Sequence, residues 1–181
     1  LWQPFIKLGV HEIYSPAAPY SRVKLDYPVS MGGYQHPRDP DRPIGLHMVY
    51  VPTLPGSGLS PREQSRKGRA LLLGTPFEVH EQMIREQLQG MLGEAGFDHQ
   101  RDIQAITVNR WSHGYSYFLN GLFDDEDEAT KIIETARQPI GKIVIANSDA
   151  DWSPYANSAI DQAWRAVNEL AYGKVAAKEG A

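Results

Sequence analysis

The sequence predicts a mixed fold of helices and short strands, in the α+β or α/β class. Two segments, Ser60-Pro61-Arg62-Glu63 and Thr75-Pro76-Phe77-Glu78, combine a hydroxyl side chain, a proline and a glutamate. This order is typical of helix N-termini. Proline loses no hydrogen bond there, because the N–H that it lacks would have no partner within the helix, and the glutamate carboxylate can accept from the N–H of the cap residue. Short apolar runs elsewhere in the chain are typical of strands, and residues 44–51 form the clearest buried-strand pattern of the first half.

Composition excludes several classes of function. The chain has 181 residues, 41% of them hydrophobic, a net charge of −4 and no cysteine. It can therefore bury a core of one domain, or of one and a half small ones. Mild acidity argues against a nucleic-acid partner, because phosphate recognition needs a concentrated basic surface. No apolar run approaches the length of a membrane span, and the absence of cysteine removes thiolate ligands and thioether cofactor links.

In the first half, the pattern predicts short β-like runs at 5–10 and 22–29, a turn at 32–33, an exposed loop at 36–43 and a break at 54–58. Ser60 and Thr75 are the predicted caps of two helices. The basic run at 62–69 is read as a solvated helix face, with an anion site as the alternative. The second helix carries an apolar stripe and is expected to stop at glycine; the residues concerned are Phe77, Ile84, Leu88, Met91, Leu92, Gly93 and Gly96.

In the second half, the pattern predicts a strand at 103–108, an acidic loop at 124–128, a helix at 126–136, a strand at 141–146 and a polar turn at 147–151. A last helix is expected from the Ser153-Pro154 pair to about residue 170, with a frayed tail over 173–181. The histidines other than His113 show no metal-ligand spacing, so no metal is expected.

The segment 141–170 is the strongest candidate for a binding site. A buried strand would run through a polar turn into a helix, and a helix N-terminus attracts anionic or carbonyl-rich ligand atoms. Asp149, just past the strand, could accept hydrogen bonds from ligand hydroxyls. The alternative is an ordinary strand, turn and helix with a capping acid.

The stretches Gly141-Lys-Ile-Val-Ile-Ala-Asn-Ser-Asp149, Trp152-Ser-Pro-Tyr155 and Ala159-Ile-Asp-Gln-Ala-Trp-Arg-Ala-Val167 resemble the C-terminal flavin-binding segment of the flavin-containing amine oxidases. Asn147 stands where that family usually has glycine, Asp149 where it has glutamate, and Ser158 where it has glycine. These departures resemble the bacterial spermidine-dehydrogenase-like branch. Further matches, including Val108-Asn-Arg-Trp-Ser-His-Gly-Tyr115, extend the similarity over nearly the whole chain.

The resemblance implies a division of the chain. Residues 1–137 would be part of a substrate-binding domain with a flavin-facing aromatic segment at 107–118, and 138–172 the last strand, turn and helix of the FAD-binding domain. The family's Gly-x-Gly-x-x-Gly turn, which grips the FAD pyrophosphate, is missing. We therefore expect a separate N-terminal Rossmann-containing chain or segment. The start at Leu1, without the features of a signal peptide, indicates a processed product or a piece of a longer protein.

The resemblance also implies a site for non-covalent FAD. The cofactor-binding residues would be Asn147, Ser148, Asp149, Trp152, Tyr155 and Ala156, with Trp111 against the flavin wall. Tyr155 and Tyr115 correspond to the two rings that shape the path of the amine, although Tyr115, Tyr117 and Phe118 could equally be packing residues. His113 is either an acid or base or a hydrogen-bonded wall residue.

The function that follows is oxidation of a polyamine-like, spermidine-type C–N bond by an FAD-dependent amine dehydrogenase or oxidase. Electrons would pass to a haem protein or a quinone, and relatives suggest a periplasmic location. The acidic run 124–128 would either steer a polyamine or remain a solvated loop. The alternatives are a non-catalytic scaffold subunit, supported by Asn147 and Ser158, and a flavin enzyme for a non-amine substrate.

Overall fold

A computed structural model describes residues 2–173 and divides the chain into two compact units, Leu1–Ser112 and His113–Ala181. The described part contains five α-helices and one three-stranded antiparallel sheet, which confirms the mixed α+β class. None of its helices is long and apolar enough to cross a membrane. Apart from Gly173, the predicted frayed tail lies outside the described residues.

The first unit contains α1 (Gln3–Leu8), β1 (Glu12–Tyr14), β2 (Arg22–Leu25), β3 (Leu46–Val49), α2 (Pro61–Gly74) and α3 (Phe77–Leu92). The strands pair antiparallel in the order β1-β2-β3, so that Val23 lies between Ile13 and Met48. Val23 is completely buried. The predicted strand at 44–51 is confirmed at its centre, but β3 is only half-buried because it is an edge strand.

The core of the first unit lies between α1, the sheet and α3; its buried members are Phe5, Tyr20, Val23, Ile84, Leu88, Leu92 and Phe97. The predicted stripe on α3 is confirmed at Ile84, Leu88 and Leu92, which recur every four residues. Phe77 remains exposed and Met91 half-buried. The buried position one turn before Ile84 belongs instead to His80.

The β-like run predicted at 5–10 is wrong, because these residues fall mostly in α1. Pro4 lies in the first helical turn, where its fixed φ favours the helix and its missing N–H costs nothing. Gly9 ends the helix in the left-handed conformation, with φ of 67°. Two local stop and start signals therefore outweigh the strand propensity of the residues between them.

The two predicted helix caps have different outcomes. Ser60 is confirmed, since its hydroxyl accepts from the Glu63 N–H while the Glu63 carboxylate accepts from the Ser60 N–H at 3.1 Å. Thr75 as a cap of α3 is wrong: its hydroxyl donates to the Leu71 carbonyl at 2.7 Å and so completes the end of α2. The helices follow each other so closely that Thr75 serves the earlier one. The predicted stop at Gly93 and Gly96 is confirmed.

The strand predicted at 103–108 is wrong. Within the described part of the first unit these residues form no ladder with another strand, and they run as irregular chain. Ile103 and Ile106 still pack against the core as partly buried side chains. Their apolar pattern therefore reflects burial alone, which is insufficient for a strand without a neighbour to pair with.

The second unit contains α4 (Glu126–Ala136), a short 3-10 turn (Ser148–Asp151) and α5 (Ala156–Tyr172). Helix α4 is confirmed with its predicted bounds, and the Asp125 side chain caps it by accepting from the Glu128 N–H at 2.8 Å. The strand predicted at 141–146 is wrong: only an isolated bridge joins Ile140 to Ile143. The described residues of this unit include no strand with which the segment could pair.

Candidate functional site

The predicted turn is a 3-10 turn capped by its own first side chain. The Asn147 Oδ1 atom accepts from the Asp149 N–H at 3.0 Å and from the Ala150 N–H at 3.3 Å. The φ angle of Asn147 is 165°, which is extended backbone open to any residue. Asparagine in place of the glycine expected from the resemblance therefore causes no backbone strain, and its side-chain oxygen caps the turn.

Asp149 presents a carboxylate that the protein does not use. Its side chain is exposed, and it makes no hydrogen bond or ion pair within the described range 2–173. Ser148 is half-buried beside it, and its carbonyl accepts from the Ser153 N–H at 3.3 Å. The turn therefore offers an ionised acceptor to a ligand hydroxyl or cation.

Asp151, which the sequence did not single out, joins three parts of the second unit. Its Oδ2 atom accepts from the Ser158 hydroxyl at 2.7 Å, and its Oδ1 atom pairs with the Arg137 guanidinium. Arg137 also donates to the Ala150 carbonyl at 2.5 Å. Because Ser158 is buried in α5 and Arg137 directly follows α4, the network fixes the turn to both helices. No sequence signal marks these partners, which lie 7 and 14 residues from Asp151.

Helix α5 begins at Ala156, so the predicted Ser153 cap is wrong. The Ser153 carbonyl instead accepts from the Tyr155 N–H at 2.8 Å, which makes Tyr155 the residue before the helix. Tyr155 provides no side-chain cap, and the Ala156 and Asn157 N–H groups meet no acceptor in the described chain. A helix of 17 residues therefore starts with free donors and the positive end of its dipole.

Trp152, one of the predicted cofactor-binding residues, packs against Tyr117. The Trp152 and Tyr117 rings meet edge to face, with centroids 4.8 Å apart and planes at 70°. Trp152 and Tyr115, with φ of 48° and 60°, are the two non-glycine residues of the described chain in the left-handed region. Such conformations are unfavourable for aromatic residues and persist where contacts enforce them. Tyr115 itself is 90% exposed.

Tyr117 is anchored at its other end by the acidic loop. Its hydroxyl donates to the Asp124 Oδ2 atom at 2.6 Å, and the same oxygen accepts from the Asn120 N–H at 2.7 Å. The Tyr117 hydroxyl, followed by the Asn120 N–H, lowers the pKa of Asp124 below its usual value. The sequence placed Tyr117 in the flavin-facing aromatic segment or in packing, and Asp124 in an acidic run that would steer a polyamine or remain a solvated loop, but nothing in the pattern links the two.

Two further predicted site residues, Trp111 and His113, are exposed. Trp111 belongs to the first unit and is 74% exposed, whereas His113 is exposed at the start of the second unit. Tyr155 is 59% exposed at the start of α5. The structure thus gathers Asn147, Ser148, Asp149, Trp152, Tyr155 and Ala156 along one turn and helix start, as their sequence proximity requires.

The first unit holds a buried polar cluster that the sequence did not reveal. The His80 Nδ1 atom lies 3.0 Å from the Tyr20 hydroxyl, and the Tyr50 ring meets the imidazole edge to face. The buried Nε2 atom of His80 has no hydrogen-bond partner. Burial, followed by the charge of Arg110, lowers the pKa of His80. In the described part of the chain, no three acidic or histidine side chains are arranged to hold a metal ion.

No family model matches the chain, and no curated protein matches it. The chemistry of the second unit is therefore defined by its own groups: a free carboxylate at Asp149, free amides at the start of α5, and an aromatic pair at Tyr117 and Trp152.

Proposed function

We propose that the chain is a C-terminal fragment or subunit of an FAD-dependent amine dehydrogenase or oxidase of the spermidine-dehydrogenase-like type. It would take part in oxidation of a polyamine-like C–N bond by hydride transfer to flavin N5. One observation carries the proposal: the turn and the start of α5 present the free Asp149 carboxylate and the free Ala156 N–H on exposed surface. The sequence resemblance to the flavin-containing amine oxidases falls on these same residues.

The donor set fits FAD. Asp149 would accept hydrogen bonds from ribityl or neighbouring hydroxyls, and Ser148 would add a second polar contact. When bound, FAD supplies the acceptor for the hydride. The Ala156 N–H, at the positive end of α5, would stabilise the negative charge that develops on the N1–C2=O2 edge of the ring. Because this donor is fixed before the reaction, its contribution requires no reorganisation.

The aromatic side chains would guide the amine. Tyr155 and Tyr115 are both exposed, so their electron-rich faces are available to a cationic or lone-pair-bearing nitrogen. Trp111 would contribute to the flavin wall, and Trp152 would support the turn from its contact with Tyr117. His113 would either accept a proton from the amine or form part of the wall.

Exposed apolar side chains at 143 and 145 support a partner chain. Ile143 and Ile145, which alternate as in a half-buried strand, are 68% and 46% exposed. An exposed apolar segment of this kind favours a covering partner, which a Rossmann-containing N-terminal chain or segment would supply together with the pyrophosphate-binding turn. A haem or quinone electron acceptor and a periplasmic location complete the proposal, both by resemblance alone.

A non-catalytic scaffold subunit is the second candidate. Asn147 and Ser158 replace glycines expected where flavin approaches closely, and both side chains are used within the protein. Asn147 caps the turn, whereas Ser158 is tied to Asp151. Such internal hydrogen bonds are also expected in a subunit that no longer binds the cofactor.

The visible spectrum of the purified assembly separates the two candidates. An active enzyme carries the absorption of oxidised flavin, which anaerobic spermidine bleaches. An assembly that stays colourless after reconstitution with FAD is a scaffold. Flavin that is bound but bleached only by non-amine donors would contradict the substrate class while retaining the cofactor.

A further inference from the structure

Tyr117 is held at both ends by groups from different parts of the second unit. Its hydroxyl lies 2.6 Å from Asp124 Oδ2, in the loop before α4. Its ring meets the Trp152 ring at a centroid distance of 4.8 Å, in the turn before α5. The side chain therefore spans 35 residues of sequence between the loop and the candidate site.

The loop end of this connection is rigidly bonded. Asp124 Oδ2 also accepts from the Asn120 N–H at 2.7 Å, while the Asn120 carbonyl accepts from the Asp124 N–H at 2.8 Å. Asn120 Oδ1 accepts in addition from the Leu122 N–H at 3.1 Å. The carboxylate that anchors the Tyr117 hydroxyl is thus fixed by the backbone of its own loop, and the hydrogen bonds that it accepts lower its pKa below the ordinary value.

The other end of the connection needs support. Trp152 has a φ of 48°, which its side chain disfavours, and its N–H is shared between the Asp149 carbonyl, at 3.4 Å, and the Ser148 carbonyl. Trp152 directly follows the turn that carries Asp149 and precedes the start of α5 by four residues. Its backbone therefore lies on the path between the free carboxylate and the free amides.

We infer that Tyr117 is a positioning residue: its ring, anchored through Asp124, holds Trp152 in the left-handed conformation and so fixes Asp149 relative to the first N–H groups of α5. The consequence for FAD affinity rests on the proposed function. The effect on Trp152 itself does not depend on that function.

Fluorine NMR of the full chain labelled with 5-fluorotryptophan reports on Trp152 directly. The chain has four tryptophans, and loss of one resonance in Trp152→Phe assigns the signal. We expect Tyr117→Leu to shift or broaden that signal, and Tyr117→Phe and Asp124→Asn to move it less, because they keep the ring and remove the anchor. Tyr172→Leu, at an 80% exposed tyrosine at the end of α5, is the matched control and leaves the signal in place.

In the assembly with its FAD-binding chain, Tyr117→Leu is expected to weaken FAD binding about tenfold, the cost of a misplaced binding group. If Tyr117→Leu fails to fold, Tyr117→Phe and Asp124→Asn decide the question. An unmoved Trp152 signal in every folded Tyr117 and Asp124 variant would overturn the inference. If wild-type assembly binds no FAD, the proposed function fails, and the fluorine spectra alone still decide the role of Tyr117.

Discussion

Ser158 and Asp151 are joined by a hydrogen bond of 2.7 Å from the Ser158 hydroxyl to Asp151 Oδ2. The bond fixes the first turn of α5 to the 3-10 turn that carries Asp149, while Arg137 pairs with the other oxygen of Asp151. A serine at this position, where the resemblance leads one to expect glycine, thus has a structural role in this chain.

Removing that hydroxyl should destabilise the chain. Ser158→Ala removes a hydrogen bond to a half-buried carboxylate, so we expect the free energy of unfolding to fall by about 1 to 3 kcal/mol. Urea denaturation of the chain measures the change. Asn157→Ala alters the exposed neighbour and serves as the control. An unfolding curve for Ser158→Ala that overlays the wild-type curve would show that the bond contributes nothing.

The unequal roles of Ser60 and Thr75 can be separated by alanine substitution. Ser60→Ala removes a capping box and should lower the free energy of unfolding by about 1 kcal/mol. Thr75→Ala removes only a hydroxyl bond to the Leu71 carbonyl, so its loss should be smaller. Urea denaturation of both variants measures the difference. Equal losses would mean that Thr75 caps α3 after all.

Gly68 and Gly90 form a matched pair inside helices. A Cβ atom on Gly68 would lie 2.1 Å from the Pro52 carbonyl oxygen, whereas one on Gly90 would meet nothing within 4 Å. Gly68→Ala should therefore destabilise the chain by about 1 to 3 kcal/mol through overpacking. Gly90→Ala should stabilise it by up to about 1 kcal/mol through its better helix propensity. A thermal shift of the same sign for both variants would be inconsistent with this packing.

His80 should make the stability of the chain depend on pH. Burial lowers its pKa from the ordinary value of 6.5, so the folded state favours the neutral ring. The contribution of the neutral His80 ring to the free energy of unfolding is fully present above pH 6.5. It declines as the pH falls towards the lowered pKa, because the unfolded state then binds more protons than the folded state. Urea midpoints measured from about pH 8 to pH 5 record this decline.

A non-titrating variant isolates the contribution of that group. His80→Asn should lower stability at neutral pH and flatten its decline in acid, whereas His11→Gln, at an exposed site, should leave the decline unchanged. A decline that is as steep in His80→Asn as in the wild type would assign it to other groups.

Local signals made part of this structure predictable. The Ser60 cap and the acidic start of α4 at Asp125 lie within four residues of the groups they bond, so the sequence contains both partners. The strands predicted at 103–108 and 141–146 failed because a strand also needs a distant partner, and alternation of apolar residues cannot show whether one exists. In α1 the signals at Pro4 and Gly9 were present in the sequence, but the strand prediction followed the apolar residues between them and was wrong.

The candidate site, too, is predictable from the sequence only in part. Its members at 147–156 are contiguous, so their proximity follows from the sequence. The contacts that hold these members in place do not follow from the sequence. They join Arg137 to Asp151 and Tyr117 to Trp152, which are 14 and 35 positions apart. Such pairs depend on how the 3-10 turn and Trp152 pack against distant parts of the unit, which no short pattern encodes.

The affinity of the apo assembly for FAD, measured by equilibrium dialysis, tests most directly whether the Asp149 turn binds flavin. We expect Asp149→Ala to weaken binding by about tenfold or more, since a hydrogen bond to a charged acceptor is lost. Asp161→Ala, at an exposed carboxylate on α5, should leave the affinity unchanged. Wild-type and Asp149→Ala assemblies that bind FAD equally, or do not bind it at all, would contradict the assignment.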